Sequence, residues 1–411
     1  MKKYIVVILT ILLLTGCNSS SNNIIDKITQ KKVKESLPEG TYINVLNDVE
    51  VFSDTNILDI VDTNIEIKDN IKLDTEKTGI NSVAIEYTYN GKKDNYLFKY
   101  NVADTVKPIY LSANQNVTLL VNDDTNPCDS INIADNYDRI PTCDIVGNYN
   151  MEVPGTYNVK YVIKDEAGNE NEKDLTINYV KELPEKKKTP STPSTSYVDF
   201  EWVKNKYKND NTEVGLDISR WQGDLSVENF EQMKEAGASF IMMRIGVSND
   251  IDEDLAMDSK YKNNIKNAKA AGLKVGVYLY TTAINDDMAK EAANFVINCL
   301  DGESLDFPVV FDWENWSKFR KYQISIHDLN NTFLTFDKEL QKNNLSAMLY
   351  SSKYYLQIMW EDRLKDNYPV WLAHYNEHGT DYTGKYKMWQ LCSDGRIAGI
   401  NGNVDVNVLY N

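Results

Sequence analysis

Three acidic clusters stand out among the 411 residues, each at the end of an apolar run that reads as a strand. They are Asp217-Ile218-Ser219-Arg220-Trp221-Gln222-Gly223, then Asp312-Trp313-Glu314, then Asn403-Val404-Asp405-Val406-Asn407. Asp312 and Glu314 are two apart, and on a strand such residues point the same way. Two carboxyl groups aimed at one spot are what glycoside hydrolysis needs. One must be protonated to donate to the leaving oxygen, and the other must stay charged to support positive charge at the sugar carbon.

The elements that must position these groups lie between about residue 198 and the C-terminus. Apolar strands are expected at 214–219, 240–246, 274–281, 307–314, 346–352, 368–375, 386–392 and 403–409. Helical segments fall at about 226–236, 259–271, 286–300 and 325–342. Near-continuous apolar strands interleaved with helices indicate a parallel sheet covered by helices. In α/β barrels the C-terminal strand ends form the active face. Tyr280, Tyr350, Trp371 and Tyr375 are expected at those ends, where rings can stack on sugars or hydrogen-bond to them, although each could equally pack in the core.

The order of motifs resembles that of the glycoside hydrolase family 25 lysozymes. Asp217-Ile218-Ser219 with Gln222-Gly223 comes first, then Gly276-Val277-Tyr278-Leu279-Tyr280 and Asp312-Trp313-Glu314. Tyr350-Ser351, residues 369–375, Trp389-Gln390 and residues 404–407 follow. The resemblance covers roughly half the chain, from about Glu213. It implies an irregular TIM-like barrel of eight strands and about five helices that cuts the β-1,4 bond between N-acetylmuramic acid and N-acetylglucosamine. By the same resemblance Glu314 is the general acid and Asp312 orients the substrate's acetamido group; substrate-assisted retention and inversion both stay open. The resemblance also implies that Asp217 and Asp405 lie beside the pair, their negative charge raising the pKa of Glu314 and keeping it protonated. Tyr280, Tyr350, Trp371, Tyr375 and Gln390 would line the substrate site. Many family members carry a His where this chain has Leu279, which removes one expected substrate contact.

The N-terminal half reads differently. Lys2 and Lys3 precede an apolar run from Tyr4 to Leu14, too short to span a bilayer but suited to a secretion signal. Leu14-Thr15-Gly16-Cys17 looks like a bacterial lipobox, which implies cleavage after residue 17's predecessor and lipid on Cys17. Residues 1–17 are thus a lipoprotein signal and 18–40 a tether. Residues 41–104 and 105–180 show period-two alternation and an internal repeat at an offset of about 76 residues. They resemble bacterial immunoglobulin-like modules, two small all-β sandwiches expected to act as spacers. Residues 181–197, rich in Pro, Ser, Thr and Lys, read as an extended linker before the barrel at 198–411.

Composition narrows the partners. A net charge of −17 leaves no basic surplus to neutralise phosphates, so nucleic acid is not expected. The three histidines form no zinc pattern, and no metal or cofactor is expected. The expected partners are peptidoglycan glycan strands and, through Cys17, a membrane. A protein partner for the β modules has no residue cluster to support it. Cys128 and Cys143 could form a disulfide in an oxidising exterior, whereas pairing of Cys299 with Cys392 is undetermined. The expected location is outside the cytoplasm, on a Gram-positive-type surface. The competing reading is a glycan-binding adhesin without catalysis.

Overall fold

The computed structural model describes residues 33–184 and 197–411. The expected signal, Cys17, most of the tether and nearly all of the linker lie outside them. The described chain forms two compact units that divide between Thr105 and Val106.

In the first unit the hairpin Gly79–Tyr89/Lys92–Ala103 is flanked by Val49–Glu50, parallel, and Glu66–Ile67, antiparallel. A second, two-stranded sheet pairs Ile43–Val45 with Val61–Thr63. The second unit begins with the same arrangement. Its hairpin, Gly155–Lys164/Glu170–Val180, is flanked by Asn116–Leu120, parallel, and Thr142–Val146, antiparallel. Ile109–Ser112 and Asn132–Ala134 form its two-stranded sheet. The two hairpins begin at Gly79 and Gly155, the positions that the sequence repeat aligns. Cys128 and Cys143 are joined by a disulfide in this module.

The rest of the second unit is a closed barrel of eight strands. These are β1 (Thr212–Ile218), β2 (Phe240–Val247), β3 (Lys274–Tyr280), β4 (Val309–Asp312), β5 (Ala347–Ser352), β6 (Val370–Ala373), β7 (Met388–Arg396) and β8 (Val404–Tyr410). Strands β1 to β7 run parallel. β8 is antiparallel to both neighbours and closes the ring between β7 and β1. This reversal brings the start of β8 to the same face as the C-terminal ends of the others.

Eight helices accompany the strands, more than the five expected: α1 (Phe200–Tyr207), α2 (Val227–Ala236), α3 (Tyr261–Ala270), α4 (Asp286–Leu300), α5 (Phe319–Tyr322), α6 (Ile326–Gln341), α7 (Lys353–Ile358) and α8 (Asp362–Lys365). Those without a sequence expectation are α1, α5, α7 and α8. Each is eight residues or shorter, too short for a 3.6-residue period to show.

Both strand faces are buried, which is why the strands read as nearly unbroken apolar runs. One face, with Ile241, Met243, Val277, Leu279 and Phe311, packs under the helices. The other, with Phe240, Met242, Val310, Met348 and Trp371, fills the barrel. Gly215 lies on the inward register of β1, and a β-carbon there would meet Phe240 O at 2.4 Å. No helix among the described residues is long and apolar enough to cross a membrane.

The second β module is not a free spacer, as the sequence reading had it. Its two-stranded sheet has one face for each neighbour. Ile133 joins the module's own core, while Leu111 and Ala134 are counted in the core beneath the barrel's helices. Ile326 N and His327 N, at the start of α6, donate to Asp135 O and Asn136 O. Arg320 Nη1 donates to Cys128 O at 3.0 Å, and Arg139 holds Asp328 through two hydrogen bonds.

Candidate active site

The four carboxylates come together at the barrel mouth. Asp217 lies one residue before the end of β1, and the antiparallel seam makes Asp405 its Cα partner. Asp312 ends β4, and Glu314 lies just beyond that strand rather than on it. The two therefore differ in setting: Asp312 is 5% exposed, whereas Glu314 opens to solvent. Asp312 Oδ1 is buried with no hydrogen-bond partner in the protein.

Asp217 is fixed by amides. Gln390 Nε2 donates to its Oδ2 at 2.9 Å and Asn407 Nδ2 at 2.8 Å. Tyr350 donates its hydroxyl to Gln390 Oε1, and Trp371 Nε1 donates to Asn407 Oδ1. Two residues proposed as substrate contacts are thereby reassigned. Trp371 is 2% exposed, its ring edge-on to Tyr278 and Tyr350, so it cannot offer a face to a sugar. Gln390 is 4% exposed with both ends of its amide engaged, and it positions Asp217 instead.

Tyr350 and Tyr375 do reach the groove, a cavity of about 560 Å³ beside Glu314. Tyr280 ends β3 near the pair, and burial pushes its hydroxyl up to about 12. The groove is also lined by Trp316, Lys353, Tyr354 and Tyr355, none of which was singled out from sequence. Trp316 stacks on Tyr355 with centroids 3.9 Å apart. Leu279, where a His was expected by family likeness, packs under the helices and so faces away from the mouth.

Arg244 was also missed. It sits on the inward register of β2, tied to Asp258 Oδ2 at 2.7 Å, and Asp258 also accepts from Arg220 N. A lone arginine in the inward register of an apolar strand was the signal available. The Ser219 and Gln222 positions of the first motif have a structural task. Ser219 N donates to Gln222 Oε1, and Gln222 Nε2 donates to Asn403 O, which ties the β1 loop to the start of β8. Gly223 ends this turn at φ +81°, a conformation that favours glycine.

Electrostatically the cluster favours protons. Burial, then Glu314 and Asp217, lifts Asp312 well above the usual carboxylate range, with Arg244 opposing. Desolvation also raises Glu314, against the lowering effect of its hydrogen bond with Asp312. Asp217 is raised to about 6 by burial, moderated by its two amides. Asp405 is raised to about 8 by burial and then by Asp217. The expectation that Asp217 and Asp405 raise Glu314 is corrected here. Desolvation raises Glu314, and the repulsion is felt at the two aspartates.

A carboxyl pair at the mouth of a closed barrel, beside an aromatic-walled groove, is the equipment of a glycoside hydrolase. Residues 216–400 match the profile of the family described as glycosyl hydrolases family 25. The C-terminal half of the chain is a glycosyl hydrolase family 25 domain. Members of this family are peptidoglycan hydrolases of the lysozyme and muramidase type. The domain is similar to an uncharacterized protein, YegX, of Escherichia coli K12, 26% identical over 196 residues that make up 47% of this chain and 68% of that protein. It is similar to the autolytic lysozyme of Clostridium acetobutylicum, 28% identical over 47% of this chain and 54% of that one. Among solved structures, the bacterial lysozyme of Streptomyces coelicolor is 20% identical with a TM-score of 0.40, covering 49% of this chain and 94% of that one.

Proposed function

We propose that this family 25 domain is a muramidase, cleaving the β-1,4 bond between N-acetylmuramic acid and N-acetylglucosamine. The observation that carries this reading is the contrast between Asp312 and Glu314. One carboxyl is buried with an unpartnered oxygen, and the other opens into the groove. Glu314 is placed to give its proton to the glycosidic oxygen as that bond to the anomeric carbon breaks. Asp312 Oδ1 is suited to accept the N–H of the substrate's acetamido group while the acetamido oxygen attacks the anomeric carbon. That new hydrogen bond stabilises Asp312 in its charged form and so leaves the shared proton on Glu314. The Glu314 carboxylate then takes a proton from water, which opens the intermediate. In the inverting alternative, water attacks directly, with Asp312 as its base.

The sequence of residues 1–17 supports a lipid anchor on Cys17, which would hold the enzyme on the outer side of the membrane, facing the wall. The β modules fit immunoglobulin-like units between anchor and barrel.

Mass spectrometry of muropeptides released from purified peptidoglycan tests the activity, with Glu314→Gln alongside. Reducing N-acetylmuramic acid ends, absent with the variant, are expected. Reducing N-acetylglucosamine ends would move the cleaved bond. Glycan binding without release would replace the hydrolase by an adhesin.

A further inference from the structure

Part of the groove lining comes from two short segments. One is the turn that follows Glu314 and carries Trp316; the other is the short helix α7, which follows β5 and carries Lys353, Tyr354 and Tyr355. The second β module touches both. Its strands Ile109–Ser112 and Asn132–Ala134 pack on the turn Trp316–Lys318. The Tyr354 hydroxyl, meanwhile, donates to Tyr110 O at 3.2 Å. The ring itself is half exposed, and its hydroxyl is tied to the module's backbone. Tyr354 in turn packs at 71° on Tyr355, which stacks on Trp316, which packs at 69° on Trp313 between the catalytic carboxylates. A continuous chain of rings thus runs from the module's backbone to the residue between Asp312 and Glu314.

We infer that the second β module is a working part of the hydrolase, a clamp that sets the aromatic wall of the glycan groove, with Tyr354 as its positioning residue. This rests on the reading of the groove as the glycan site. The module's two-faced sheet is what makes the clamp rigid. Leu111 and Ala134 are only 5% and 2% exposed in the core under the barrel's helices, while the module keeps its own core and disulfide on the other side. An ordinary spacer has no use for apolar residues on the face turned away from its core. With the wall preset, the glycan does not have to order those side chains on binding, and a binding step that avoids this ordering is tighter.

The test uses the full chain carrying Leu111→Asp or Tyr354→Phe, with Leu111→Met as the conservative control. Leu111→Asp puts a charge on the docking face and leaves the module's own core untouched; Tyr354→Phe keeps the ring and removes its tie to Tyr110 O. Both are expected to raise KM for a soluble peptidoglycan glycan by about threefold or more with kcat within about twofold, and Leu111→Met to behave as wild type. Amide exchange across residues 353–357 is followed in the same samples and is expected to quicken in both variants. Unchanged KM and exchange in both would overturn the clamp. A parallel collapse of kcat in both would also overturn it, since that marks loss of folding. If the wild type releases no muropeptides, the hydrolase reading fails by itself, and the exchange result still decides the clamp.

Discussion

Asp217 and Asp405 are direct cross-strand partners on the seam where β8 closes the barrel against β1. Two like charges in that relationship repel, and the structure offers Asp217 amide donors rather than a cation. The seam is therefore most comfortable with a proton on it. Burial raises Asp217 to about 6, and burial together with repulsion from Asp217 raises Asp405 to about 8.

The sign of the resulting pH dependence follows. A carboxyl whose folded pKa is raised adds nothing below its unfolded pKa, near 4, where both states are protonated. Between there and its folded pKa the folded state binds the extra proton, so stability falls as pH rises. Asp405→Asn is expected to leave the melting temperature unchanged at pH 4 and to raise it at pH 8. The gain should be on the order of 2–4 °C for each kcal/mol recovered. Calorimetry at the two pH values reads this directly, and equal shifts at both would contradict it.

Glu314→Gln keeps the shape of the groove and removes the transferable proton. Steady-state turnover is expected to fall by about 10²-fold or more with glycan affinity retained. The activity of the wild type should also decline on the alkaline side, as the raised Asp312–Glu314 pair gives up its shared proton.

Asn407 is fully buried between Trp371 Nε1 and Asp217 Oδ2. Asn407→Leu leaves the Trp371 indole N–H without its partner and removes one of the two amides on Asp217 Oδ2, which keeps only Gln390 Nε2. Each unsatisfied buried group costs about 1–3 kcal/mol. Urea denaturation should show the loss, and a loss under about 0.5 kcal/mol would mean that the amide is dispensable.

The bond between Cys128 and Cys143 closes a loop of 15 residues, which corresponds to about 3 kcal/mol of unfolded-state entropy. A fragment starting at residue 33, denatured without reductant, should titrate two thiols, those of Cys299 and Cys392. Reduction should lower the melting temperature of the second unit.

Much of the barrel was legible because its strands bury both faces, so their apolar runs survive in the sequence. The carboxylates were legible for a related reason: a charged residue at the end of such a run has few structural uses. Trp371 misled because a strand-end aromatic looks the same whether it faces groove or core, and only the inward register of β6 decides. Arg244, Asn407 and Tyr354 take their meaning from partners outside their own elements, Asp258, Trp371 and Tyr110, which are 14, 36 and 244 residues away. The packing of the second module on the barrel was hidden for the same reason. Leu111 reads as one more alternating strand residue until its neighbour is known.

The last strand carries both Asp405 and Asn407 and is also the piece that shuts the ring. A ribosome making this chain has released nearly all of the barrel before either arrives. Any product cut short of Val404 lacks a carboxylate of the cluster, an amide that fixes Asp217 and the closing strand together. The site of the hydrolase thus stays incomplete until the strand that closes the barrel has been made.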